Sequence, residues 1–166
     1  MALTSQQKAA VKAAILADPV LAAKPNTSDG AFEIAAALNQ IASPVWVVWR
    51  TNVSRDEIML NGFDWTRVDN LSVGKSRIWE WMFAATQGIN PSKANIRAGI
   101  DACWVGTAAD LAVRAAVYVH CKQSATRAQK ILSTGTGSDA SPATMDDGIS
   151  ETFQISYQDV DDARNS

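Results

Sequence analysis

Residues 43–50 read SPVWVVWR, and their assignment governs how the rest of the chain is read. The valines with Trp46 and Trp49 favour an extended strand, and the run has a strand's length. A strand needs a partner, however, and the segments on both sides carry helical signals. Pro44 also stands where a first helical residue would stand. The expectation is a short buried helix, with a strand as the alternative.

Upstream, Thr4 or Ser5 caps a helix that runs to about Ala17, with Val11 and Ile15 as a narrow i, i+4 apolar stripe. Asp18-Pro19 ends it, and VLAA adds at most one turn. Residues 26–30, NTSDG, are a cap-rich loop opening a second helix, AFEIAAALNQIA, apolar on two sides and so expected to be buried. Downstream, Ser54 and Glu57 have capping-box spacing, and Asn61-Gly62 stops the turn that follows. Residues 71–87 read as a helix stopped by Gly88. Pro91-Ser92 starts another, in which Ile96, Ile100 and Cys103 keep helical spacing. Thr107 caps the longest helix, from 108 to about 132.

After Leu132 the character changes. Residues 133–144, STGTGSDASPAT, are a low-complexity run of small residues. Further on, Phe153, Ile155 and Tyr157 alternate with polar neighbours, the period-two pattern of a half-buried strand. Inside a helical body that strand has no evident partner, so it is expected to add to a neighbouring subunit. The alternative is a strand folded back on its own body, as a hairpin with residues 143–149. The expected fold class is mainly α: a compact helical bundle (1–132) with an extended acidic C-terminal arm (133–166) carrying a short β-strand.

Composition fits this outline and excludes several classes. The chain has 166 residues, 47% apolar and 19% charged, enough for one real core, and its 28 alanines bias it towards helix. No apolar run approaches the roughly 18–20 residues of a membrane span. The start, MALTSQQKAAVK, lacks a secretory layout, and no membrane partner is expected. Two cysteines make neither a disulfide framework nor a zinc site unaided. The formal charge of −2 hides an asymmetry: residues 133–166 hold seven acids and one base, the remainder ten acids and fourteen bases. Charge blocks of this kind often mark interaction arms.

The chemistry-bearing residue types read as structural. His120 is the only histidine, and its neighbour Cys121 points about 100° away on a helix, so the two do not form a nucleophile pair. Cys103 and Cys121 read as small buried hydrophobes. The carboxylate pairs Asp56/Glu57, Asp146/Asp147 and Asp161/Asp162 are sequential neighbours in caps or in the tail, with nothing to raise a pKa. The glycines of STGTGS follow a helix instead of preceding one, and no GxxxxGK[ST] occurs, so Gly135 and Gly137 read as a C-cap and flexible hinge. Arg114, Lys122, Arg127 and Lys130 are too sparse for a nucleic-acid face and suit solvent or a subunit contact. Six tryptophans are many for this length, and Trp79 and Trp81, two apart, do not share a helix face. At least one of them meets a partner, a second layer or solvent. The chain is expected to be no enzyme and to bind no cofactor or metal.

Several stretches together resemble small structural proteins of tailed bacteriophages and prophages: ADPVLAA, NTSDGAFEIAAALN, SPVWVVWRTNV, NPSKANIRAGI, SATRAQKILSTGTGSDASPATM and ISYQDVDDARNS. The likeness covers nearly the whole chain, and GTGSDASPATM and SYQDVDDARNS are its most specific segments. DDGISETF stands where a smoother apolar-glycine run is expected. In architecture the chain resembles a head–tail connector, or adaptor. The resemblance implies a homo-oligomeric, twelve-fold ring in the virion below the portal protein, bound to neck or tail proteins and made in the host bacterial cytoplasm. Genomic DNA would pass through the lumen without sequence-specific recognition. Phe153, Ile155 and Tyr157 are then the expected arm anchors on the portal or a neighbouring copy. The alternatives are a tail-completion or baseplate component, or a soluble phage factor that binds a host protein or nucleic acid.

Overall fold

The structure, a computed structural model, describes residues 2–60, 63–84 and 88–166. It is mainly α-helical, 55% helix against 9% strand. The chain forms two compact units, one from Met1–Val48 with Ser124–Ser166, the other from Trp49–Gln123.

The first unit begins with α1 (Ser5–Ala17), where Thr4 and Gln7 make a reciprocal capping box. The Asp18 carboxylate then accepts the N–H groups of Val20 and Leu21 and starts the single turn α2 (Pro19–Ala22), with Pro19 at its first position. Thr27 caps α3 (Ser28–Leu38). Val11 and Ile15 are buried, and so are Leu21, Ile34 and Leu38. The rest of this unit comes from the far end of the sequence: α8 (Arg127–Ile131), the short strands β3 (Ser133–Thr134) and β4 (Thr144–Met145), and α9 (Tyr157–Arg164). Helix α9 packs on both α1 and α3. Its Val160 and Ala163 join Met145, Ile149 and Ile155 in the same core as Val11 and Ile34.

Residues 133–166 are therefore not an extended arm, and the division at 132 is corrected: Leu132 itself is fully buried in this core. The expected strand over 153–157 is also absent. Ser156 and Asp159 form a capping box that starts α9 at Tyr157. Just before it, the side-chain amide of Asn39 donates to the Ile155 carbonyl and accepts the Ile155 N–H, both at 2.9 Å. A single side chain thus takes the place of the neighbouring strand that the alternation predicts. The strands that do form pair Ser133 with Met145 and Thr134 with Thr144, antiparallel. The folded-back alternative, a hairpin of 153–157 with residues 143–149, is therefore not formed either: Thr144 and Met145 pair with 133–134 instead.

Residues 43–50 do not form a helix. Val47–Trp49 is β1, and its partner is β2 (Lys122–Ser124). The two corrections have one origin, because β2 lies inside the span read as the helix 108–132. That span is α7 (Ala108–His120), then β2, then α8. Thr126 and Gln129 form a capping box that starts α8 afresh. The chain passes from one unit to the other within β1 and within β2.

The second unit holds α4 (Arg55–Leu60), a 3-10 turn (Trp65–Asn70), α5 (Val73–Ala84), α6 (Ala94–Cys103) and α7. The expected stop at Asn61-Gly62 and the helix end at Gln87 lie outside the described residues. An aromatic group fills this core: Trp79 lies 5.6 Å from Phe63, 5.2 Å from Phe83 and 5.3 Å from Trp104. Ile58, Ile100, Val113 and Val117 are among the aliphatic residues that pack around it.

A chain truncated to residues 1–132 loses Met145, Ile149, Ile155, Val160 and Ala163 from the first unit's core. Each large apolar side chain contributes about 1.5–3 kcal/mol of burial, so that unit is expected to unfold. Far-UV circular dichroism with urea titration measures it, and a truncated chain with the helicity per residue and cooperativity of the full one contradicts this architecture.

Candidate interaction surface

The residues expected to anchor a neighbour are occupied within their own unit. Ile155 is only 2% exposed, and Phe153 and Tyr157 pack against the same core. The Tyr157 ring also stacks on Phe32, with centroids 4.1 Å apart and 20° between planes. The role of these three as anchors on a detachable arm is corrected: Ile155 is closed into the core, and Phe153 and Tyr157, only half-buried, lie fixed on the body of their own unit.

The hinge is corrected as well. Gly137 has φ +63°, and a Cβ there would lie 2.1 Å from the Trp46 ring. Its carbonyl accepts the Val47 N–H at 2.8 Å. Trp46 is held by its indole N–H donating to the Ser133 hydroxyl at 3.1 Å, and the Lys130 ammonium sits 5.0 Å over its ring. Gly135 has φ +134°, and a Cβ there would approach the Ala143 Cα to 3.0 Å. Both glycines permit close backbone packing in one fixed conformation, which is the opposite of a joint.

Ionisable groups serve as helix fastenings. The Asp110 carboxyl is held down at about 2, first by its hydrogen bond from Arg67 and then by the Thr107 hydroxyl. The Arg67 guanidinium lies 2.7 Å away, and Thr107 with Asp110 forms the capping box of α7. The Ser54 N–H lowers Glu57, which also receives Arg50 at 2.7 Å. Burial pushes the Cys121 thiol up to about 12 and raises Cys103 too, so both stay protonated near neutrality. Burial, followed by its hydrogen bond to Asp101, raises the Tyr118 phenol. Carboxylates lowered by cations and thiols raised by burial hold their protonation states at neutral pH. The carboxylates suit charge pairing and the neutral thiols suit packing, whereas acid–base work needs a pKa near the working pH. Among the described residues no cluster of three or more His, Cys, Asp or Glu is placed to hold a metal. Of the expected basic face, Arg114 pairs with Asp101 at 3.5 Å in the second unit, while Arg127 pairs with Asp18 at 2.6 Å in the first.

The surface that stands out is on α5. Trp79 is buried, at 7% exposure, while Trp81, two residues on, is 78% exposed. The spacing had required that one of the two leave the core. It did not pick out the rest of the strip: Val73 and Ile78 are exposed as well, and Arg77 stands one turn before Trp81. A readable signal existed, since α5 carries large apolar residues on more than one side, the mark of a helix with a second face to cover. Scattered apolar side chains on a surface are ordinary, but an indole standing out on a helix beside Ile78 is an unpartnered face. No helix among the described residues is long and apolar enough to cross a membrane.

Two measurements follow from this geometry. Gly137→Ala places a methyl group into the Trp46 ring at a positive φ, and should cost at least about 2 kcal/mol in urea unfolding; a flexible joint would tolerate it. Asp110 has a lowered folded pKa, so its contribution is present above the ordinary 3.8 and is lost as pH falls towards about 2. The thermal midpoint should therefore fall across that window, and Asp110→Asn should lower it at neutral pH while flattening its slope between pH 4 and 2.

Set against known proteins, the chain matches no family model, no curated protein and no solved structure, so its function is argued from its own residues.

Proposed function

We propose that this protein is a structural component of a tailed-bacteriophage virion, a head–tail connector that assembles as a ring of copies below the portal and joins it to the neck or tail. The segments NTSDGAFEIAAALN, GTGSDASPATM and SYQDVDDARNS support the family reading by resemblance. The observation that carries the assembly role is the exposed Trp81 on α5, beside Ile78 and Val73. A buried interface tryptophan contributes on the order of 2–4 kcal/mol when truncation is measured. Such a residue left in water weakens solubility and contributes only when a partner covers it.

The mode of assembly differs from strand exchange by an arm. With Phe153, Ile155 and Tyr157 held on the body of their own unit, helix faces, including that of Tyr157 on α9, are what each copy offers its neighbours. A ring needs two unlike surfaces per copy, repeated by one rotation until it closes. A twelve-fold ring and a DNA-filled lumen belong to this reading through the resemblance. The protein then acts by geometry: it matches the symmetry of the portal on one side and that of the neck on the other, and leaves the chemistry to its neighbours.

Native mass spectrometry of the full chain, alone and with purified portal protein, tests the reading. The expected result is a closed oligomer, alone or formed on the portal, together with the protein's presence in purified particles. A chain that neither binds the portal nor appears in particles overturns it.

A further inference from the structure

We infer that the α5 strip of one copy docks on a platform formed by Phe32 and Tyr157 of the next copy, a head-to-tail contact between two unlike faces of the same chain. The inference rests on the self-assembling reading above and names the surfaces that meet.

The platform lies on α3 and α9. Phe32 is stacked on Tyr157, yet it remains 54% exposed, so the pair presents aromatic surface to solvent. Each helix places an acid beside its ring: Asp29 is three residues before Phe32, and Asp161 is four residues after Tyr157. The other acids of these helices are engaged, Glu33 with Lys24, Asp162 with Lys8, and Asp159 in the cap of α9. Asp29 and Asp161 have no cationic partner among the described residues; Asp161 accepts only the Asn165 amide. The platform is thus aromatic and carries two uncompensated carboxylates.

The strip has the complementary character. Arg77 is exposed and meets no carboxylate among the described residues, and Trp81 lies four positions on, on the same side of α5. Residues three or four apart on a helix stand roughly 5–6 Å apart at Cβ. Asp29 and Phe32 therefore present an acid and a ring at about the spacing at which Arg77 and Trp81 present a cation and an indole. One approach satisfies both pairs: guanidinium on carboxylate and indole against the exposed ring. The unit balances agree with this polarity. The unit containing the platform has ten acids and six bases, and the unit containing the strip has nine bases and seven acids. Because the two faces differ, each copy gives one and receives one, so the contact repeats head to tail instead of stopping at a two-fold dimer, and it makes the ring of the reading above where the rotation closes.

Mixing of single-face variants of the full chain tests this. Trp81→Ser disables the strip and Phe32→Ser the platform. Each alone should weaken association at least about tenfold and leave monomers by light scattering, with circular dichroism unchanged. Mixed one to one, they should form a heterodimer that grows no further, since the mixture pairs one intact strip with one intact platform. Should Phe32→Ser alter the circular dichroism, Asp29→Arg serves as the platform variant, and Arg77→Glu combined with it should restore assembly. A wild-type oligomer retained by either single variant, a mixture that stays monomeric, or a wild-type chain monomeric at millimolar concentration overturns the contact. Portal binding by a chain that does not self-associate would sink this contact and leave the connector reading intact. Self-association through these faces with no portal binding would do the reverse.

Discussion

Backbone that enters a protein interior without regular structure must still pair its amides and carbonyls. In the unit built from both chain ends, side-chain amides do this. Gln129 is 1% exposed, and its amide nitrogen donates to the carbonyls of Ser150 and Glu151 at 3.1 and 3.0 Å. Asn39 holds both polar groups of the Ile155 backbone, and Gln7 donates to the Asp147 carbonyl at 3.3 Å. Each such bond contributes about 1 kcal/mol net, but a buried carbonyl left without one costs about 1–3 kcal/mol. These amides let an irregular segment bring Ile149 and Ile155 into the core. They also settle where α9 lies, and with it the Phe32–Tyr157 stack.

Both glutamines have a second use, which ties helix starts to the same segment. Gln7 completes the capping box of α1, and Gln129 that of α8, each through its side-chain oxygen, while the amide nitrogen reaches the C-terminal segment. A capping side chain ordinarily fastens only its own helix. Here the cap and the tertiary contact share one residue, so the C-terminal segment and the helices it covers form together. This leaves helix faces, and no detachable arm, on the outside of the first unit. It also redistributes charge: acids of the last segment meet bases of the first, as in Lys8 with Asp162 at 2.7 Å.

Much of the local structure was legible in the chain. Thr4, Asp18-Pro19, Thr27, Ser54 and Thr107 mark element boundaries because a cap is a contact within a few residues. The split of Trp79 from Trp81 followed from helix geometry alone. Legibility failed at β2. Nothing in CKQSA breaks a helix by propensity, and the capping box TRAQ sits in a run whose composition reads as helix interior. Missing β2 removed the partner of β1, so the strand signal of VWVVW was overruled for want of a neighbour. The candidate surface was half legible: an exposed tryptophan was expected on α5, but its neighbourhood was not.

The sequence by itself determined the mainly helical class, most helix starts, the buried character of both cysteines and the displacement of one tryptophan from the core. These depend on spacing and on residue chemistry within a turn or two. Only the tertiary structure decided that Phe153, Ile155 and Tyr157 close inward, that Gly137 lies fixed beneath Trp46, and that the chain divides into two units at β1 and β2. The physical reason is distance along the chain. Asn39 meets Ile155 and Gln7 meets Asp147 across more than a hundred residues, and no local pattern records which polar side chain will pair with which distant carbonyl.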